Sequence, residues 1–288
     1  NNGIVYAYDG ANAAIDVDGV VFELLNGQDG LITGDNPTSG TIDMDLSSRG
    51  QIVNHGTIHS SNSRAIDFSD SDGGAVFKLN NTGWITANDA SAVRVDVGFN
   101  FMYILNSGDV SSSDLPFELI SDLSNNSNQT FANRGNISAS AGQAISFSFG
   151  TSSAAQFSNS GTITAWNQAL FTSRDTDVRL HNTGDIITYG TLGTAITFDG
   201  GNDRIQNAGT ILGHISLDEG DDYYEGNGGT IVGTVFGETG DDSLSGGNNV
   251  DVLNGGDDKV CLSGVVATIP LLAAVATTPS LPGTEMMS

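Results

Sequence analysis

A single cysteine, Cys261, in 288 residues rules out an internal disulfide framework, so covalent staples are not what holds this chain together. Positive charge is nearly as scarce. Nine Lys and Arg stand against 34 Asp and Glu, for a formal net charge of −25. A chain so acidic repels phosphate backbones, which argues against nucleic acid as a partner. It also repels itself, and that excess of carboxylate points to neutralisation by a divalent metal. No stretch carries a helical 3.6-residue period. The one long apolar run, near the C-terminus, is interrupted by Pro270, Pro279 and Pro282 and by many Thr and Ser, so this segment is not expected to insert into a membrane. The chain begins at Asn1 without a leader pattern, as a fragment or a mature product would, and this says nothing about its destination. Apolar and aromatic content are sufficient for a core despite 38 glycines.

What is present is a motif, N-x-G-x-I or N-x-G-x-V. It begins at Asn54, Asn81, Asn106, Asn133, Asn159, Asn182, Asn207 and Asn227, with an imperfect copy at Asn26. Its glycines, from Gly56, Gly83 and Gly108 to Gly209 and Gly229, recur too regularly for chance and too variably for an exact duplication. That is the signature of a solenoid whose turns vary slightly in length. Each unit is rich in Thr, Ser, Asn, Val, Ile and Phe, which selects strands over helices. A second apolar stretch comes after each glycine, as in Ala65-Ile-Asp-Phe68 and Ala144-Ile-Ser-Phe147, with the period of two expected of a strand with one buried face.

The fold class is therefore all-β: a parallel β-helix. Rungs stacked at roughly 4.8 Å would pile Ile66, Val93, Phe117, Ile145, Leu170, Ile196 and Ile215 into one internal column. The motif asparagines are expected at one corner, hydrogen-bonded along the stack, with the glycine supplying a positive φ. Asp67, Arg94 and Glu118 fall at equivalent outward positions of successive rungs and should form an alternating charge ladder. Residues 1–49 are expected to form an N-terminal rung or cap, and 50–198 the body of the β-helix.

From residue 199 to 260 a second motif takes over. Gly200-Gly-Asn-Asp203, Glu219-Gly-Asp-Asp222 and Thr239-Gly-Asp-Asp242 recur at an almost constant interval, so they should stack on one corner of successive rungs. Then the interval halves: 237–245 and 246–254 are contiguous nonapeptides with Asp242 and Asp251 at matching places, each trailed two positions on by Leu. This stretch resembles the RTX, or haemolysin-type, repeat G-G-x-G-x-D-x-U-x, in which U is apolar. Glu238 and Asn249 stand where that pattern has glycine. The resemblance implies a β-roll that takes Ca2+ between its turns. It implies ligands at Asp242 and Asp251 and also at Asp222 and Asp258, with Gly240, Asp241 and Asp257 in the same turns contributing to an all-oxygen site.

Residues 261–288 abandon both patterns. Joining the last base of each codon to the first two of the next permits RTX-like nonapeptides throughout, with aspartates falling where Ile269, Thr278 and Met287 stand, in phase with Asp242 and Asp251. The expectation is a base gained or lost near residues 260–264, which resequencing that segment tests; an intact frame there would refute it.

Two functional classes remain. Residues 50–235 resemble in repeat grammar the passenger stalk of an autotransporter or a large bacterial adhesin. That resemblance implies a secreted or cell-surface rod whose partners are calcium and cell-surface glycans or a host or matrix surface. The alternative is a polysaccharide-active β-helix enzyme: a lyase, epimerase or hydrolase. For it the chain offers His55 and His59 at one corner and Arg174, Asp175, Asp177 and Arg179 in one loop, without a joining motif. No catalytic residue is assigned, and the reading leans away from an enzyme.

Overall fold

The computed structural model describes residues 1–7, 13–35, 37–38, 40–70, 75–97, 101–121, 128–149, 154–190, 193–247, 249–256 and 261–263. Asp257, Asp258 and the segment 264–288 lie outside the described residues. Every described element is a strand, and every strand pairing is parallel, so the expected solenoid is the fold. No described helix is long and apolar enough to cross a membrane.

Each rung has three sides. The strand after the motif glycine joins a ten-stranded sheet running from Ile4–Ala7 to Thr230–Val232. The second side, which includes Ile66–Asp70, Val93–Val97 and Ile145–Phe149, contains the expected column. Ile66 pairs with Val93, Val93 with Phe117, Phe117 with Ile145, and so on to Ile215, all at or near zero exposure. The third side leads into the motif Asn and is not among the sequence expectations; Val76–Asn81, Phe101–Asn106 and Asp177–Asn182 belong to it. Its alternation of buried and outward residues stacks Leu79, Ile104, Phe131, Phe157, Leu180, Ile205 and Tyr224. The rings of Phe131 and Phe157 lie nearly parallel with centroids 4.9 Å apart. Full burial of each such side chain contributes about 1.5–3 kcal/mol, repeated on three sides of each rung up to Thr230–Val232. Residues 1–49 already carry this pattern: Ile15–Asn26 and Ile42–Asn54 are long strands that each serve two sides and pair with one another.

The asparagine corner holds as expected from Asn26 to Asn207. Each side-chain Nδ2 donates to Oδ1 of the next asparagine at 2.8–2.9 Å, from Asn26 to Asn54 and onward to Asn207. Within each motif from Asn54 to Asn182, Nδ2 also donates to the carbonyl of the motif glycine. An amide carries both donors and acceptor, so the column satisfies itself even though these asparagines are 0–1% exposed.

The reason for the glycine differs from the expectation. Gly56, Gly83, Gly108, Gly135, Gly161, Gly184 and Gly209 are not among the residues with positive φ. They are glycine because the rungs touch there: a Cβ on Gly83 would collide with the carbonyl oxygen of Gly56, and one on Gly108 with that of Gly83. Asn227 also departs from the expectation, being exposed with φ 40°, while Gly226 takes the place next to Asn207. The rung that carries Thr210 to Thr230 is shorter than its predecessors and has closed the corner before the asparagine is reached.

The outward charge ladder is formed. Arg94 lies between Asp67, at 3.5 Å, and Glu118, at 3.7 Å, and also pairs with Asp96, while Arg64 meets Asp67 at 3.2 Å. One rung earlier, Asp43 stacks on Asp67; burial first, then repulsion from Asp67 and Asp16, raises its carboxyl to about 6.

Towards the C-terminus the coil changes section. After Thr230–Val232 the described residues add nothing to the ten-stranded sheet. The remaining strands pair Val235 with Leu253 and Leu244 with Leu262, so each partner lies two nonapeptides further along the chain. The three-sided helix has become a two-sided roll, and each nonapeptide is half a turn.

Candidate functional site

The corner between the second and third sides is where the acidic motif lies. In three successive rungs it is built by residues 199–203, 218–222 and 238–242, with Gly200, Glu219 and Thr239 bridged in parallel. Gly201, Gly220 and Gly240 have φ of 107°, 147° and 131°, a region that disfavours any side chain. Their rungs also make contact, since a Cβ on Gly240 would collide with the carbonyl oxygen of Gly220. Asp218 and Glu238 open their corners at φ 66° and 73°, left-handed without being glycine. Gly256 stacks on Glu238 with the same φ of 73°. Glycine meets this conformation without a Cβ penalty, and Glu238 meets it under strain.

Two columns of side chains stitch these rungs together in opposite directions. On the outside, Asp177 Oδ1 accepts the Asn202 N–H at 2.9 Å, Asn202 Oδ1 accepts that of Asp221 at 2.8 Å, and Asp221 Oδ1 accepts that of Asp241 at 2.9 Å. Inside, the side chains reach back: Asp203 Oδ1 accepts the Val178 N–H at 2.6 Å, Asp222 accepts that of Asp203 at 2.7 Å, and Asp242 accepts that of Asp222 at 3.1 Å. Two adjacent side-chain oxygen acceptors make this double stitch, one pointing to each neighbouring rung, as in Asn202-Asp203 and Asp221-Asp222.

The inner column is acidic and buried. Asp203, Asp222 and Asp242 are 1–2% exposed. Oδ2 of Asp203 and of Asp222 is buried with no hydrogen-bond partner among the described residues. Burial pushes the Asp203 carboxyl up to about 8, with the Val178 N–H pulling down and Asp222 and Asp177 adding repulsion. Burial likewise raises Asp222 to about 7, against the Asp203 N–H and with repulsion from Asp242, Asp221 and Asp218. A carboxylate offers only acceptors, so a buried stack of them needs protons or a cation.

Of the residues implied as ligands, Asp222, Gly240, Asp241 and Asp242 share this corner. Asp251 does not. It lies across the roll in the other half-turn, buried, with Oδ2 accepting the Gly247 N–H at 2.7 Å. Asp203 belongs to the column although the implied set omits it; its spacing from Asp222, which matches that of Asp222 from Asp242 to within one position, is the signal that places it there. No three described His, Cys, Asp or Glu side chains converge on a point where they alone would hold a metal. The oxygens present are carboxylate and main-chain carbonyl, the donor type that suits calcium rather than a softer ion.

Several of the residues considered for catalysis are engaged in contacts between rungs. His55 and His59 each bond a threonine of the next rung through Nδ1, to Thr82 at 2.6 Å and Thr86 at 2.7 Å. Asp177 is taken into the outer stitch and Asp175 bridges to Gly200. Arg179 faces outward on the third side. No protein-family profile, curated protein or solved structure matches this chain.

Proposed function

We propose that the chain is a calcium-stabilised β-solenoid of the bacterial exterior, acting as a structural or adhesive rod. One observation carries the reading: the column of buried aspartates whose Oδ2 atoms, at Asp203 and Asp222, meet no donor among the described residues. Asp222 and Asp242, with main-chain oxygens of the glycine turns around Gly220 and Gly240, are the groups that would hold the ion. Calcium there would supply the positive charge that the column lacks. The two-sided roll of paired nonapeptides beyond it supports the RTX resemblance, with Asp251 as a candidate in the opposite half-turn. Ion binding would then be linked to folding: the acidic end would order as the chain passes into a calcium-rich medium.

The test is thermal unfolding of the whole chain across a calcium titration, with magnesium alongside. At a hundredfold excess over Kd the expected gain is about 2.7 kcal/mol, with magnesium giving much less. A melting midpoint indifferent to calcium would overturn the reading.

A further inference from the structure

Positive charge is rare in this molecule, which makes its unmatched part informative. Arg49, Arg64 and Arg94 all meet carboxylates. Arg179 and Arg204 form no ion pair among the described residues, yet they are in register on adjacent rungs of the third side, both exposed. Like charges directly opposite one another on a sheet destabilise it. Arg204 is held over the Tyr223 ring, its guanidinium carbon 4.1 Å from the ring centroid, which fixes the group without neutralising it.

Both arginines line an open cleft of about 530 Å³ together with His181, Gln206 and Tyr223. A second cleft of about 280 Å³ shares Arg179 and His181 and continues over earlier rungs to Gln156 and Thr130. The result is a trough across successive rungs, with two guanidinium groups at one end and amide and hydroxyl groups along the other.

We infer that this trough binds a carboxylated oligosaccharide, its acid group on Arg179 and Arg204 and its hydroxyls on Gln156 and Thr130. Guanidinium groups recognise carboxylates through paired N–H donors. An acidic peptide fits less well, because peptides add to sheet edges through free backbone groups and this trough lies on a face whose backbone groups are paired in the ladder. Asn202, Asp203 and Asp221 also line the cleft, and Glu225 is engaged by Gln206 at 3.0 Å, so the two guanidinium groups are where an acid group would be held. This site gives a ligand class to the adhesive half of the proposed function; Asp203 and Asp221 of the acidic corner also line it, so binding is tested in calcium, where the proposed ion would offset their charge.

The experiment is calorimetric titration of the whole chain, in calcium, with tetragalacturonate, its methyl ester and tetraglutamate. Binding of the free acid alone is expected, weakening with salt. Arg179→Gln with Arg204→Gln should weaken it at least tenfold, a change of about 1.4 kcal/mol, while exposed Arg134→Gln leaves it intact. The inference is overturned if the ester or the peptide binds as tightly as the acid, if the double variant binds like the parent, or if the acid does not bind. Comparing the acid with its ester in the parent protein requires no variant to fold. Melting in calcium and in chelator, recorded on the same samples, reports failure of the calcium reading separately.

Discussion

The asparagine corner and the aspartate corner solve the same problem with side chains that differ by one atom. Both place a short polar residue at every rung, both bury it, and both run hydrogen bonds along the axis. From Asn26 to Asn207 each amide gives to the next and receives from the last, so the column closes on itself. At Asp203, Asp222 and Asp242 there is nothing to give; one oxygen borrows a backbone N–H, and at Asp203 and Asp222 the second has no partner among the described residues. One column satisfies its own hydrogen bonds, and the other leaves acceptors over. On the calcium reading proposed above, joining the two types would let a continuous coil carry a self-satisfied body and an end that responds to ions.

Exchanging the two chemistries gives the largest expected effect. Asn106→Asp would set an oxygen against Asn133 Oδ1 and the Gly108 carbonyl, where Nδ2 now donates to both. A loss on the order of 3 kcal/mol is expected in denaturant unfolding, independent of calcium. The reciprocal Asp222→Asn removes charge from the buried column and should raise stability in chelator by about 1 kcal/mol while flattening the response to calcium. If both exchanges prove neutral, the contrast between the corners has no energetic content.

A smaller effect sharpens the comparison within the acidic end. Glu238→Gly relieves a left-handed residue, whose penalty is roughly 1–2 kcal/mol, but adds freedom to the unfolded chain. A net gain of about 0.5–1 kcal/mol should appear in the same unfolding experiment. A loss would mean that the Glu238 side chain contributes more than its backbone costs.

Much of this architecture is legible in the sequence because a stacked fold repeats its instructions. The period of the N-x-G motif defines the rung, and the Ala-Ile-x-Phe pattern defines a column that the structure reproduces residue for residue from Ile66 to Ile215. The third side carries a weaker signal. Alternating apolar residues precede each asparagine, as in Phe77 and Leu79, but the fixed motif marks only the strand on its C-terminal flank. The role of the motif glycine is not legible, because close rung-to-rung approach and positive φ select the same residue and only coordinates separate them. Asn227 looks like its predecessors because a motif does not reveal that its rung has shortened. At the acidic corner the spacing of the Gly-Asp-Asp motifs shows the stacking. It does not show that adjacent aspartates reach in opposite directions, nor that the inner one is buried. The arginine trough is hidden for a related reason: Arg179 and Arg204 lie in different rungs and different sequence contexts, and only the register brings them side by side.

Amide hydrogen exchange in calcium and in chelator, compared between the two corners, measures the central claim most directly. The N–H groups of Asp203 and Asp222, which donate to the inner aspartates, should be strongly protected in calcium and exchange much faster in chelator. Those of Arg134, Ser160 and Thr183, which pair across the asparagine corner, should not change. Equal protection of the aspartate corner in both media would show that the column needs no cation, and the account would fail.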